Sequence, residues 1–204
     1  MKSKLMTNLR EKLMFLGGFV RHPFATGAVL PSSRSLARTL LRLGNIRPGS
    51  VVVEFGPGTG SCTTHLLRCI GPRGKLIGFE TNRQFVDMLT KRFPEATFIH
   101  DGAQNADMHL ERLGIRQVDA IVCGLPFATI PTPIQRRIVS ASARILKTNG
   151  TFMSFQYCLT IAFPRTRRFK AILAQSFDHL TSKPVWLNVP PAVIVRARKN
   201  GTAA

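Results

Sequence analysis

The sequence predicts an α/β fold built on a mostly parallel sheet, on the strength of three observations. Short β-branched and apolar runs recur through the middle of the chain, the segments between them read as helices, and each interval leaves room for one helical crossover. Parallel neighbours need such crossovers, and crossovers place helices on both faces of the sheet. A length of 204 residues suits one domain with a core of useful size. With 44% hydrophobic and 19% charged residues, the composition is that of a packed globular chain and excludes a disordered one.

In chain order, residues 44–50 read as the turn that enters the core, and Val51-Val52-Val53-Glu54-Phe55 as the first strand, ending in a glycine-rich turn. Strands follow at 75–80, 97–100, 118–123 and 151–157, with helices at 61–70, 83–93, 106–113 and 133–146 between them. Residues 184–189 and 193–198 read as two further strands joined through Asn188-Val189-Pro190-Pro191-Ala192. They are expected to form an antiparallel pair at the sheet edge, giving seven strands in all. Residues 1–22 are set apart as an amphipathic helix, leaving 23–204 as the folded domain.

Charge is distributed unevenly. The net charge is +19, made of +8 in residues 1–47, 0 in 48–110, +4 in 111–150 and +7 in 151–204. An excess of this size implies a polyanionic partner, either nucleic acid or an anionic membrane surface, which meets the N-terminal segment and the C-terminal third. No apolar run approaches the roughly 18 residues of a membrane span. Arg10, Glu11 and Lys12 interrupt any signal-peptide core, so a cytoplasmic location is expected. Cys62, Cys69, Cys123 and Cys158 form no C-x-x-C and have no closely spaced His, so neither a metal site nor a disulfide framework is expected.

Glu54-Phe55-Gly56-Pro57-Gly58-Thr59-Gly60 follows a strand and precedes a helix, so its glycines let the backbone approach a ligand where helix N–H groups point outward. The spacing is G-x-G-x-G and not the G-x-G-x-x-G of a dinucleotide site, which favours a ligand without a pyrophosphate to cradle. Glu80, followed by Thr81, ends the next strand 20 residues after Gly60, where a carboxylate bonds ribose hydroxyls in Rossmann-like folds. The plain alternative is a tight strand-to-helix turn with solvated carboxylates.

This loop resembles motif I of the class I S-adenosylmethionine-dependent methyltransferases. The resemblance implies a Rossmann-like methyltransferase fold with S-adenosyl-L-methionine as cofactor. Glu54, Gly56, Pro57, Gly58, Thr59 and Gly60 would hold its methionine end, and Asp101-Gly102-Ala103 after the third strand matches the family's adenine-binding acidic position. Gly124-Leu125-Pro126-Phe127 follows the fourth strand, where methyltransferases acting on adenine amines carry Asn or Asp first. A base amine has its lone pair delocalised into the ring and needs such an acceptor. An aliphatic amine needs only to lose a proton and be aimed, and the backbone carbonyls of Gly124 and Leu125 can do that.

Residues 26–33 (T-G-A-V-L-P-S-S), the 53–60 loop, Cys123-Gly124-Leu125-Pro126 with Pro131, and the late N-V-P-P-A together look like the bacterial phospholipid N-methyltransferases that methylate phosphatidylethanolamine. The match runs from about residue 20 to residue 198. It implies methylation of phosphatidylethanolamine toward phosphatidylcholine, releasing S-adenosylhomocysteine, by a monomer held peripherally at the inner face of the cell membrane. Tyr157, the only tyrosine, is expected to accept a hydrogen bond from the amine or pack against the head group, with an ordinary core tyrosine as the alternative. His22 and His100 are candidate proton acceptors. The alternatives are an rRNA adenine N6-methyltransferase and a catalytically silent basic adaptor. The first is disfavoured because only residues 199–204 follow the last strand, where a separate RNA-reading domain would begin.

Met6, Leu9, Leu13, Leu16 and Val20 fall at steps of three and four, with Phe19 widening the stripe and Lys2, Lys4 and Lys12 mostly elsewhere. That pattern suits a helix lying in the interface of an anionic bilayer; a helix packed on the core is the alternative. Arg165, Arg167, Arg168 and Lys170, interleaved with Phe163 and Phe169, form a second basic cluster suited to lipid phosphates or to RNA bases, with a simple solvated helix start as the plain alternative.

Overall fold

The computed structural model describes residues 34–188 and 191–199. Strands β1 (Val51–Phe55), β2 (Lys75–Glu80), β3 (Thr97–His100), β4 (Val118–Cys123) and β5 (Leu146–Tyr157) are parallel neighbours, whereas β6 (His179–Val185) and β7 (Ala192–Arg198) add an antiparallel edge. The sheet order is β3-β2-β1-β4-β5-β7-β6, so β7 sits between β5 and β6. Helices α1 (Arg34–Leu43), α2 (Thr63–Ile70), α3 (Arg83–Arg92), α4 (Ala106–Arg112), α5 (Thr132–Ile145) and α6 (Pro164–Ser176) cover it.

The alternating side chains of β1 feed two separate cores. Val53 and Phe55 pack with Leu110 of α4, Ile138 and Val139 of α5, and Phe169 and Leu173 of α6. Val52 packs on the other face with Leu36 and Leu40 of α1 and Leu66 and Ile70 of α2. Each such side chain, fully buried, contributes about 1.5–3 kcal/mol, so a one-residue slip of β1 would exchange both sets and is strongly disfavoured. Glu54 shares the parity of Val52 and therefore points toward α2.

The five parallel strands and the four helices between them lie within a few residues of their expected places, except that β5 begins at Leu146 instead of 151. The penultimate strand differs: expected at 184–189, it runs over His179–Val185, and Trp186 to Asn188 form the turn that follows. Its residues are mostly exposed and polar because it is the sheet edge, and an edge strand also accommodates Pro184. Helix α1 was not anticipated, and the basic cluster of 165–170 lies in the first turns of α6, the helix start that was its plain alternative. The 1–22 helix with Lys2, Lys4, Leu9, Leu13, Leu16 and Phe19, the 26–33 segment, and Val189 and Pro190 lie outside the described residues.

Candidate active site

The sheet order reverses between β1 and β4, and in open α/β sheets such a reversal leaves a crevice beyond the carboxyl ends of the strands. A cavity of about 830 Å³ occupies that position, within the usual range of small-molecule sites. Glu54, Gly56, Pro57, Gly58, Thr59, Glu80, Thr81, Asp101, Gly102, Ala103, Gly124, Leu125, Pro126 and Tyr157 all line it. The sequence had singled out each of these. Gly60 is the exception. At φ 80°, a Cβ there would lie 2.7 Å from the Phe93 ring and 2.9 Å from Leu89, so Gly60 lets the loop pack on α3 and its region and does not face the cavity. His100 also stays out of the lining, its Nε2 lying 3.0 Å from the Thr81 carbonyl.

Two carboxylates stand at one end. Glu54 is buried and accepts a hydrogen bond from Thr63 Oγ1 of α2 at 2.6 Å. Burial pushes its carboxyl up to about 7, the Thr63 bond opposes this, and the nearby Glu80 charge adds to it. Glu80 accepts from the Gly58 N–H at 3.2 Å and from the Asn82 N–H at 2.9 Å. It thus ties the glycine loop to the start of α3, where the Asn82 side chain caps the helix by accepting from the N–H groups of Gln84 and Phe85. No atom lies within 4 Å of the place a Gly58 Cβ would take, which leaves that backbone open to a ligand.

Asp101 is held more tightly than its position in the sequence suggested. It accepts from Gly102 N at 2.6 Å, from Asn105 Nδ2 at both oxygens, and from His109 Nε2 at 2.7 Å. The His109 bond, the largest influence, holds the carboxyl below its ordinary range. All four acceptor positions of the carboxylate are in use, so a bond to a ligand requires one of these partners to be given up.

The loop after β4 forms the opposite wall. Gly124 N–H donates to the Phe55 carbonyl at 2.8 Å, and a Cβ on Gly124 would sit 3.1 Å from the Gly56 carbonyl oxygen and 3.4 Å from the Phe155 ring. Gly56, at φ 69°, has the reciprocal constraint: its Cβ would lie 2.9 Å from Leu125 Cδ2. The two glycine loops therefore lie backbone against backbone, and a side chain at 124 would require the Gly56 carbonyl to give by a few tenths of an ångström. The Leu125 carbonyl accepts from Phe127 N, and the Pro126 carbonyl from Thr129 N and Oγ1. Among the described residues the Gly124 carbonyl accepts no hydrogen bond.

Two residues outside the predicted site hold this loop in place. Gln135, fully buried on α5, donates through Nε2 to the carbonyls of Phe127 at 2.8 Å, Ile130 at 3.0 Å and, more weakly, Arg165 at 3.4 Å. Its only signal in the sequence was an amide on the same face as Ile138 and Val139. Arg165 donates to the Thr129 carbonyl at 3.0 Å, so this member of the basic cluster is engaged at the cavity rim, while Arg167 and Arg168 are exposed on α6. Phe127 turns into the core and stacks on Phe169 with ring centroids 3.5 Å apart.

The family model described as the GCD14 subunit of the tRNA methyltransferase complex matches residues 33–182. The ornithine lipid N-methyltransferase of Singulisphaera acidiphila is 30% identical over 187 residues, covering 90% of this chain and 94% of that protein. The chain belongs to the class I S-adenosylmethionine-dependent methyltransferases. Two solved structures share the methyltransferase fold: the N-methyltransferase NodS of Bradyrhizobium japonicum, with a TM-score of 0.64, 13% identity and coverage of 82% of this chain and 96% of that one, and the fibrillarin of Aeropyrum pernix with natively bound S-adenosyl-L-methionine, with a TM-score of 0.60, 17% identity and coverage of 87% and 74%. The residues present fit the cofactor of this methyltransferase family. The cavity has the volume, Gly58 leaves its backbone open, and the paired carboxylates suit a ligand bearing an ammonium group and hydroxyls.

Proposed function

We propose that this methyltransferase N-methylates the primary amine of phosphatidylethanolamine, and its mono- and dimethylated forms, at an anionic membrane surface. One observation carries the reading. The loop after β4, with Gly124, Leu125, Pro126 and Ile130, and Phe155 beside it bring no Asp, Glu, Asn or Gln side chain to the cavity; Glu54, Glu80, Asn82, Asp101 and Gln104, which also line it, come from the segments at the ends of β1, β2 and β3. A delocalised base amine has no side-chain acceptor there, whereas an aliphatic amine on an apolar tail finds a backbone carbonyl and apolar walls. The full-length likeness to a lipid N-methyltransferase supports the same class of substrate.

When bound, the cofactor supplies an electrophilic sulfonium methyl. Glu54 and the Gly56 to Thr59 loop hold its methionine end, Glu80 with Thr81 takes its ribose, and the Asp101 turn with Gly102 and Ala103 borders its adenine. The Gly124 carbonyl accepts an amine N–H and so aims the nitrogen lone pair, while Leu125 and Pro126 fix that carbonyl. Burial pushes the Tyr157 hydroxyl above its already high ordinary value, so it stays neutral, and its ring packs against the head group as positive charge develops. Orientation and exclusion of water supply the rate. The enzyme works as a peripheral protein on the inner face of the cell membrane, drawn there by its basic excess.

The match to the tRNA methyltransferase family model, with the partial likeness to a tRNA (adenine(58)-N(1))-methyltransferase catalytic subunit of Cryptococcus neoformans, favours a second reading, methylation of an adenine in RNA. One assay separates the two: methyl-labelled cofactor offered to vesicles containing phosphatidylethanolamine, to vesicles containing ornithine lipid, and to tRNA. Label is expected in phosphatidylethanolamine. Label in ornithine lipid alone moves the substrate within the lipid class, and label in tRNA alone overturns the proposal.

A further inference from the structure

The turn between β6 and β7 carries the two most exposed large apolar side chains among the described residues, Trp186 at 71% and Leu187 at 83%. Strand register places this turn beside the active site. Tyr157 pairs with Ala192, and Ala192 pairs with Val185, so the chain leaves the sheet at Trp186 two strand spacings, roughly 10 Å, from the row that holds Tyr157. Tyr157 lines the cavity. Helix α6 starts at the same end of the sheet, a few residues after β5, and brings Phe163, 44% exposed, together with Arg165, Arg167 and Arg168. Lys183 is exposed on β6 close to the turn. Residues 151–204 contain eight basic residues and a single acidic one, Asp178, which precedes β6 at the far end of that strand.

An apolar tip of Trp and Leu, a Phe at the same end of the sheet, cations on β6 and α6, and no carboxylate among the described residues of 179–188 and 191–199 together match the interface of an anionic bilayer. The ring of Trp favours head-group depth, Leu favours the acyl boundary, and Arg and Lys meet phosphates. We propose that the edge tipped by Trp186 and Leu187 is the face that docks on an anionic phospholipid bilayer, setting the acceptor side of the cavity against the membrane. The inference rests on the lipid-amine reading above. An RNA would use the same cations and the Trp ring, but Leu187, the more exposed of the pair, offers no surface on which a base stacks.

Trp186 is the only tryptophan in the chain, so its intrinsic emission reports on this tip alone. With the full chain and vesicles of phosphatidylglycerol and phosphatidylcholine, emission is expected to shift to the blue and to be quenched by brominated acyl chains. A Trp186→Ser, Leu187→Ser double substitution is expected to weaken sedimentation with those vesicles by about tenfold or more, with cofactor affinity unchanged. Sedimentation of the intact chain without any emission change overturns the proposal and hands docking to another segment. Failure to sediment overturns it too, as does an emission change caused by tRNA and not by vesicles, or by raising protein concentration alone. Methyl transfer to a monomeric short-chain phosphatidylethanolamine, measured without vesicles, tests the lipid-amine reading independently. Transfer there with a silent Trp186 removes only the docking face, and no transfer to any lipid amine removes the reading on which it rests.

Discussion

On the cofactor side of the cavity the polar groups are set by neighbours close in sequence or one crossover away: Glu80 takes the N–H of Asn82 and of Gly58, Glu54 takes the Thr63 hydroxyl, and Asp101 is enclosed by Gly102, Asn105 and His109. On the acceptor side the loop from Gly124 to Ile130 is held from outside itself, by Gln135 of α5, by Arg165 of α6 and by the stacking of Phe127 on Phe169. The first half is a set of local turns with its own charges. The second is a neutral loop clamped between two helices. Cofactor affinity and methyl transfer should therefore respond to different substitutions, although the halves meet where Gly56 and Gly124 pack together and where Arg137 of α5 donates to Asn105 beside Asp101.

The largest expected effect comes from loosening the clamp. Gln135→Leu replaces the amide with an apolar side chain of similar size and leaves the Phe127 and Ile130 carbonyls without their donor, at a cost of about 1–3 kcal/mol in stability, read by denaturant unfolding. Turnover at saturating cofactor should fall by up to ~100-fold, as expected when a positioning loop shifts, while calorimetry finds the cofactor dissociation constant within about twofold. A comparable loss of cofactor affinity would join the two halves. Glu80→Ala should do the reverse. It removes a charged acceptor for ribose hydroxyls and should cost ~1.5–3 kcal/mol of cofactor affinity, with little change in turnover once cofactor saturates.

A smaller effect sharpens the same contrast through pH. With its carboxyl pushed up to about 7, Glu54 is partly protonated near neutrality. The positive methionine end of the cofactor prefers the carboxylate, so binding should release a proton, and affinity should rise with pH through about 7 and level off once Glu54 is ionised in the free protein. For stability the sign is opposite. A carboxyl raised in the folded protein favours folding most fully below its unfolded value near 4.5, and that contribution is lost as pH rises through about 7. Glu54→Gln should flatten both profiles, as measured by calorimetry in buffers of differing ionisation enthalpy and by thermal unfolding between pH 4.5 and 8.

The same division explains what could be read from the sequence. Strands β1 to β4 declare themselves by β-branched runs, and the cofactor residues follow at fixed offsets from their ends, so nearly all of that half was legible. Gly60 was placed with the ligand because its spacing is indistinguishable from that of Gly56 and Gly58; only the packing of Phe93 and Leu89 on it separates the roles. The acceptor loop was legible as G-L-P-F, but its support was not, since Gln135 acts on carbonyls five, eight and thirty residues away. Strand β6 was displaced for a related reason. Its polar, proline-containing run becomes a strand only because β7 lies beside it, and pairing of that kind leaves no periodic mark.

Pro126→Ala tests the separation of the two halves most directly, because it alters the acceptor loop at one backbone position without touching a cofactor-side carboxylate or a buried polar group. Turnover at saturating cofactor and the cofactor dissociation constant are to be measured on the same folded protein. Freed at φ, the loop should aim its Gly124 carbonyl less sharply, so turnover should fall ~10-fold or more while the dissociation constant stays within about twofold. Equal losses in both quantities would contradict the account and make the loop part of one scaffold shared with the cofactor.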